Sequence, residues 1–219
     1  MTSNMLTRLG RAAGAGLSLL LVSGCIQLLP DSQPANIYRL GHEATPSAET
    51  AEVGEVILIE RPGAPRALAG NRIATVGSDG ELAYISGANW ISPAPDLLQE
   101  LLLDTVDREL PGYLATRPGD GVSSRFTLRV DMRHFEAVYD EGQGRAPQAR
   151  VTLRARLVDS DTHSMVGVTT VSGSARAGAN RQTEIVEAFS QAAGAAAAEL
   201  AQWTRAHLSR LEDEAGPQG

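Results

Sequence analysis

The stretch SRFTLRVDMRHFEAVY, residues 124–139, alternates apolar and polar side chains, and the alternation returns in QARVTLRARLV at 148–158 and MVGVTTVSGSA at 165–175. A period of two is typical of a strand with one buried face. Turn-forming residues, DSDTH at 159–163, separate the last two stretches. We therefore predict a three-stranded antiparallel meander, with a bulge near His134 where the phase of the alternation changes.

One face of this meander is predicted to be rich in arginine. The outward positions of the first two strands include Arg129, Arg133, Arg150, Arg154 and Arg156. Such a face is either an ordinary solvated sheet surface or a surface that docks an acidic partner, and the pattern leaves both interpretations open.

Upstream of the meander, the sequence predicts a strand, a hairpin and a helix. The segment EVILIE at 55–60 is typical of a buried strand, and GSDG at 77–80 predicts a turn between two short strands at 72–76 and 81–85. Leucines spaced three and four residues apart follow Pro93 up to Leu110 and predict an amphipathic helix.

The last predicted element is a helix from about Arg181 to Leu211. Its middle, QAAGAAAA at 191–198, has small side chains that let a helix lie close to a sheet. The whole order predicts an α+β fold in a single domain, with a mainly antiparallel sheet and both helices packed on one face.

Composition excludes several classes of function. The chain has 219 residues with a net charge of −7, and all 19 basic residues are arginine. Without lysine, neither a Walker-type phosphate-binding loop nor Schiff-base chemistry can be built. Basic residues form no cluster of the kind that binds a nucleic-acid backbone, so no nucleic-acid partner is expected.

Residues 1–24 are predicted to be a cleaved signal peptide. Arg8 and Arg11 precede the apolar run GAGLSLLLV at 14–22, which is too short to span a bilayer. The residues Val22, Ser23, Gly24 and Cys25 resemble the bacterial lipobox. This resemblance implies that the chain is cut before Cys25 and that its thiol receives a covalent lipid; the alternative is a plain signal peptide that leaves a free thiol.

The mature chain is predicted to have three parts. Residues 25–35 form a lipidated tether, residues 36–211 the folded domain and residues 212–219 a flexible tail. Loss of the two arginines of the signal peptide changes the net charge from −7 to −9.

No catalytic or metal site is predicted, and no cofactor beyond the lipid on Cys25. The turn at 159–163 reads D-x-D-x-H, but turns favour these residues for local hydrogen bonds. A G-x-S-x-G nucleophile motif is missing from the sequence. The pair Asp104 and Asp107 falls on the polar side of the first helix, where a solvated face is the simpler explanation.

The order of these motifs resembles the ABC-type transport auxiliary lipoprotein family. After the lipobox the shared features are, in order, Tyr38-Arg39-Leu40, the strand 56–59 followed by Arg61-Pro62, then Asn71-Arg72-Ile73, and Trp90 before the leucine-rich helix. The meander and the alanine-rich helix complete the likeness. Asn89 departs from it, since the family commonly has a basic residue there.

The resemblance implies a non-catalytic auxiliary subunit of a lipid-transporting ABC system of the mammalian-cell-entry type. It implies a substrate-binding subunit of that transporter as partner, and Ile26 after Cys25 favours the periplasmic face of the outer membrane. Self-assembly into a homo-oligomer would suit such a subunit. Two alternatives stay open: a structural envelope lipoprotein that regulates cell-wall synthesis or assists assembly of another envelope protein, and a domain that itself carries lipid.

Overall fold

The structure is a computed structural model that describes residues 34–41 and 54–215. From Ala35 onward, the described residues belong to one compact unit. Within it the strands and helices are β1 Asn36–Tyr38, β2 Glu55–Ile59, β3 Arg72–Val76, β4 Leu82–Trp90, α1 Ala94–Glu109, β5 Tyr113–Thr116, β6 Phe126–Val138, β7 Gln148–Asp159, β8 Ser164–Arg176 and α2 Gln182–Ala215.

The described strands form one mixed sheet, so the prediction of a mainly antiparallel sheet was wrong. Antiparallel pairing holds for β3 with β4, β6 with β7, and β7 with β8. Pairing is parallel for β1 with β4, β2 with β5, β2 with β6, and β3 with β6. The α+β class itself stands, because helices and a largely separate sheet make up the fold.

The length of β6 explains two of the parallel pairs. Its first residues pair with β2, where Ile57 lies opposite Phe126, and its last residues pair with β3, where Thr75 lies opposite Ala137. Between them Gly63 bridges to Asp131. The chain from β2 to β3 therefore runs alongside β6 and in the same direction, so two short strands share one edge of a long strand.

Several local predictions are confirmed. The meander is present as β6, β7 and β8, and its register shifts between Met132 and His134, where the bulge was predicted. The hairpin of β3 and β4 turns at Gly80, whose φ of 82° suits a residue without a side chain. Helix α2 continues to Ala215, beyond its predicted end at Leu211.

Both helices share one hydrophobic core with the sheet, and α1 also contacts α2. At the centre of this core Trp90 is 1% exposed. Its ring centroid lies 5.8 Å from that of Phe135 on β6 and 5.3 Å from that of Phe189 on α2. The indole thus joins β4 to both the long strand and the second helix.

Candidate interaction surface

The anchor residues lie outside the part of the chain that the structure describes. These are Cys25 and the lipobox residues Val22, Ser23 and Gly24. Lipidation at Cys25 and cleavage before it therefore stay predictions from the sequence.

The arginine face, defined here by Arg129, Arg133, Arg150, Arg154 and Arg156, lies on β6 and β7. It is the side of the meander opposite the core, because the alternate residues of β7, such as Val151, Leu153 and Ala155, are fully buried. Arg129 on β6 lies directly opposite Arg156 on the neighbouring strand β7. Two like charges at such a cross-strand pair are destabilising unless nearby acids compensate them.

Three of the five arginines are compensated by acids of the same chain. Arg129 donates to Glu60 at 3.0 Å, and Arg156 forms an ion pair with Asp131. Arg150 donates to Oε1 of Glu136 at 2.7 Å. Because the pairs of Arg129 and Arg156 are open to water, each of those two contributes little to stability, but together the three pairs neutralise much of the positive charge.

Glu136 is the most enclosed charged group on this face. Its side chain is 5% exposed, and its Oε1 is also 2.8 Å from Nδ1 of His134. A buried carboxylate needs partners of this kind because desolvation otherwise disfavours its charge. The arrangement makes Glu136 a structural hub of the face, with Arg150 and His134 on either side.

Arg133 and Arg154 are different, because neither forms an ion pair with any acid in the described residues. Both side chains are exposed. Arg133 sits at the bulge of β6, and Arg154 lies on β7 between Asp131 and Thr170. These two guanidinium groups are the part of the arginine face open to an acidic partner.

Sequence reasoning located the arginines but missed Glu60, Asp131 and Glu136 as their partners. Glu60 lies 69 positions before Arg129 and reaches it because β2 runs beside β6. The alternation of β6 does carry a signal for Asp131 and Glu136, since they share its outward side with arginines across from them in β7.

In the D-x-D-x-H turn at 159–163, the Asp159 carboxylate binds backbone N–H groups of the turn itself. Oδ1 of Asp159 accepts from the N–H groups of Asp161 and Thr162 at 3.0 and 2.9 Å, and Oδ2 accepts from Arg125 at 3.2 Å. The N–H of Thr162 foremost, with the Arg125 guanidinium, holds the pKa of Asp159 below its ordinary value. This carboxylate therefore fixes the β7–β8 turn.

Asp107 also has a structural contact. Its Oδ1 accepts from the N–H of Ala115 at 2.7 Å and so ties α1 to β5. Partial burial raises the pKa of this carboxyl, and the charge of Asp104 adds to the effect. Across residues 34–41 and 54–215, no group of three or more His, Cys, Asp or Glu side chains is arranged to hold a metal ion.

Comparison with known proteins defines the class of this chain. It belongs to the ABC-type transport auxiliary lipoprotein component family, whose family model matches residues 38–201. The match runs from β1 into the middle of α2 and so covers the mixed sheet and the arginine face. Within the described residues, neither helix combines the length and apolar character needed to cross a membrane.

Individual relatives agree with this assignment. The chain is 29% identical over 106 residues to the intermembrane transport lipoprotein PqiC of Escherichia coli (strain K12), and the same holds for PqiC of Shigella flexneri. The match covers 48% of this chain and 56% of each relative. The chain thus spans little more than half the length of the curated relatives it matches.

Solved structures show the same fold. Protein XCC0632 of Xanthomonas campestris superposes with a TM-score of 0.70 at 25% identity, covering 81% of this chain and 99% of that one. An uncharacterized protein superposes with a TM-score of 0.63 at 18% identity, over 78% of this chain and 99% of its own. The second likeness concerns the fold alone.

Proposed function

We propose that this protein is a non-catalytic auxiliary subunit of an ABC lipid transporter of the mammalian-cell-entry type. It is held by a lipid anchor at the periplasmic face of the outer membrane. The observation that carries the proposal is the family match over residues 38–201. The name of the PqiC relatives, intermembrane transport lipoprotein, supports the same role.

The anchor is the lipid on Cys25. One acyl chain binds a membrane weakly, whereas two or more hold a folded domain stably. The ten residues between Cys25 and Asn36, where β1 begins, reach roughly 30–35 Å when extended. Such a tether lets the domain meet a partner in the periplasm while the lipid stays in the membrane.

The partner is the substrate-binding subunit of the transporter. The positive charge of the arginine face supports it as the contact surface. Arg129, Arg150 and Arg156 already pair with acids. In this proposal the partner therefore contacts Arg133 and Arg154. Electrostatic complementarity of this kind sets orientation and association rate more than affinity. Self-assembly of the auxiliary subunit is compatible with this arrangement.

A non-catalytic role accords with what the candidate residues contact. Asp159 fixes a turn, Asp107 ties a helix to a strand, and Glu136 neutralises an arginine. In this proposal the transporter's ATPase supplies the energy, and the present chain positions the outer end of the pathway.

Genetic epistasis tests the proposal. We expect deletion of this gene, deletion of the transporter ATPase gene and the double deletion to give the same envelope permeability defect, measured by uptake of a hydrophobic dye. An additive defect in the double deletion would show two separate pathways and contradict the proposal. Restoration of the single deletion by the wild-type chain is the control.

A further inference from the structure

Strand β8 leaves one long edge of the sheet open. Among the described strands it pairs with β7 alone, and residues 164–175, SMVGVTTVSGSA, contain neither a charged residue nor a proline. Edge strands usually carry charges, proline or a covering segment, because unpaired N–H and C=O groups recruit other strands. This edge lacks the first two protections over almost its whole length.

A side chain of α2 occupies one position on that edge. The N–H of Ser172 donates to Oε2 of Glu199 at 3.2 Å, so it points away from β7. Oε2 of Glu199 thus takes the position that a carbonyl oxygen of an added strand would occupy. Because strand residues alternate in direction, the N–H groups of Thr170 and Ser174 point the same way.

Helix α2 packs against β8 beside this edge. They approach so closely that a Cβ added at Gly173 would lie 2.0 Å from the carbonyl oxygen of Ala192. Apolar side chains flank the edge on the other face, where Met165 is 58% and Val168 45% exposed. An edge strand beside a helix is the geometry that other domains use to bind extended peptides.

The charge next to the edge defines what kind of segment fits. Arg154, one of the two arginines without an acid partner, lies across from Thr170 on β7. A strand added to β8 would lie about 10 Å from β7. An arginine and an acidic side chain can span that gap over the small side chain of Thr170.

We propose that β8 binds an extended segment of the transport partner by strand addition. The segment alternates small or apolar side chains and places an acidic one on the arginine face opposite Thr170, where it meets Arg154. Glu199 is the internal competitor that the segment displaces from Ser172. The inference rests on the proposed function, since it specifies where that partner binds.

Site-specific photocrosslinking in intact envelopes tests this inference. A photoreactive amino acid is placed in the full-length lipidated chain at Val168 or Ser174 on the edge, at Arg133 on the arginine face, or at the exposed Glu100 on α1. We expect the edge positions to give adducts with a transporter subunit, mapped by mass spectrometry to one extended peptide. Glu100 is expected to give none.

Backbone variants separate strand addition from side-chain contact. Thr170→Pro removes an N–H that points away from β7 and is expected to abolish the edge adducts, whereas Thr170→Ala keeps the N–H and the adducts. Glu199→Ala should raise adduct yield about five-fold, the equilibrium effect of losing one typical competing hydrogen bond. Equal yields from the proline and alanine variants would overturn the inference, once circular dichroism shows both folded.

The remaining outcomes are also decisive. Transporter adducts from Arg133 but not from the edge would overturn strand addition and leave the proposed function standing. If the edge positions give adducts only with a second copy of this chain, the edge serves self-association, and the proposed binding of a transport partner there is overturned. Transporter adducts from no position would count against both proposals.

Discussion

Trp90 shows how a single residue connects the sequence pattern to the tertiary fold. It ends β4 just before α1, and its ring contacts Phe135 and Phe189 from two other elements. Its Nε1 is buried and has no hydrogen-bond partner in the described residues. The ring therefore contributes packing, while its N–H contributes a desolvation cost.

We expect Trp90→Ala to destabilise the protein by about 3–5 kcal/mol, because it opens a cavity beside the rings of Phe135 and Phe189. Trp90→Phe should cost clearly less, since it keeps ring contacts and removes the unpartnered N–H. Urea denaturation of a chain starting at Ser32 measures both values. Equal losses for the two variants would show that the indole N–H is needed.

Asp159 gives a pH prediction. Its pKa lies below the ordinary value of 3.8 because the hydrogen bond from the N–H of Thr162 favours the charged form. The folded state thus binds its proton less readily than the unfolded state, so its stabilising effect is present above about pH 4 and is lost as pH falls through the folded pKa.

The Asp159→Asn variant should therefore be less stable than the wild type at pH 7 but should lose less stability between pH 5 and pH 2. Free energies of unfolding measured at several pH values test this. The other carboxyls with lowered pKa, Asp120 and Asp140, are common to both proteins and cancel in the comparison. Parallel pH curves for the two proteins would contradict the assignment.

At the scale of elements, the contact between α2 and β8 depends on Gly173. A Cβ there would lie 2.0 Å from the Ala192 carbonyl oxygen, far inside van der Waals contact, so Gly173→Ala must move the helix. We expect a loss of at least about 2 kcal/mol in thermal or chemical unfolding. Gly144→Ala is the matched control, because an added Cβ there meets nothing within 4 Å, and its effect should stay within about 0.5 kcal/mol.

The elements that the sequence predicts well are those with a local, periodic pattern. The meander, its bulge and both helices follow from spacings of two, three and four residues. The parallel pairs do not, because Ile57 and Phe126 are neighbours in the sheet but far apart in the chain. Strand β5 was missed for a related reason: its four residues are too few for a periodic pattern and are held by β2.

The same distinction applies to the candidate surface. Alternation in β6 and β7 is enough to place five arginines on one face. Which of them remain open depends on Glu60, just after β2, and on cross-strand neighbours in the paired sheet. The edge of β8 likewise becomes visible only when the order of strands is known.

For the whole molecule, the anchor should determine location. Cys25→Ala removes the thiol that we propose carries the lipid, so we expect an unprocessed precursor that takes up no labelled palmitate and is missing from outer-membrane fractions. Fractionation and metabolic labelling measure both effects. A Cys25→Ala chain that is processed, correctly located and active would refute the importance of the anchor.

We propose above that this protein works as part of an ABC lipid transport system. The most direct test is chemical crosslinking of the wild-type chain in intact envelopes, followed by identification of the crosslinked partners by mass spectrometry. We expect recovery of the substrate-binding subunit of a mammalian-cell-entry-type transporter. Recovery of a cell-wall synthase or another envelope protein, with no transporter subunit, would contradict it.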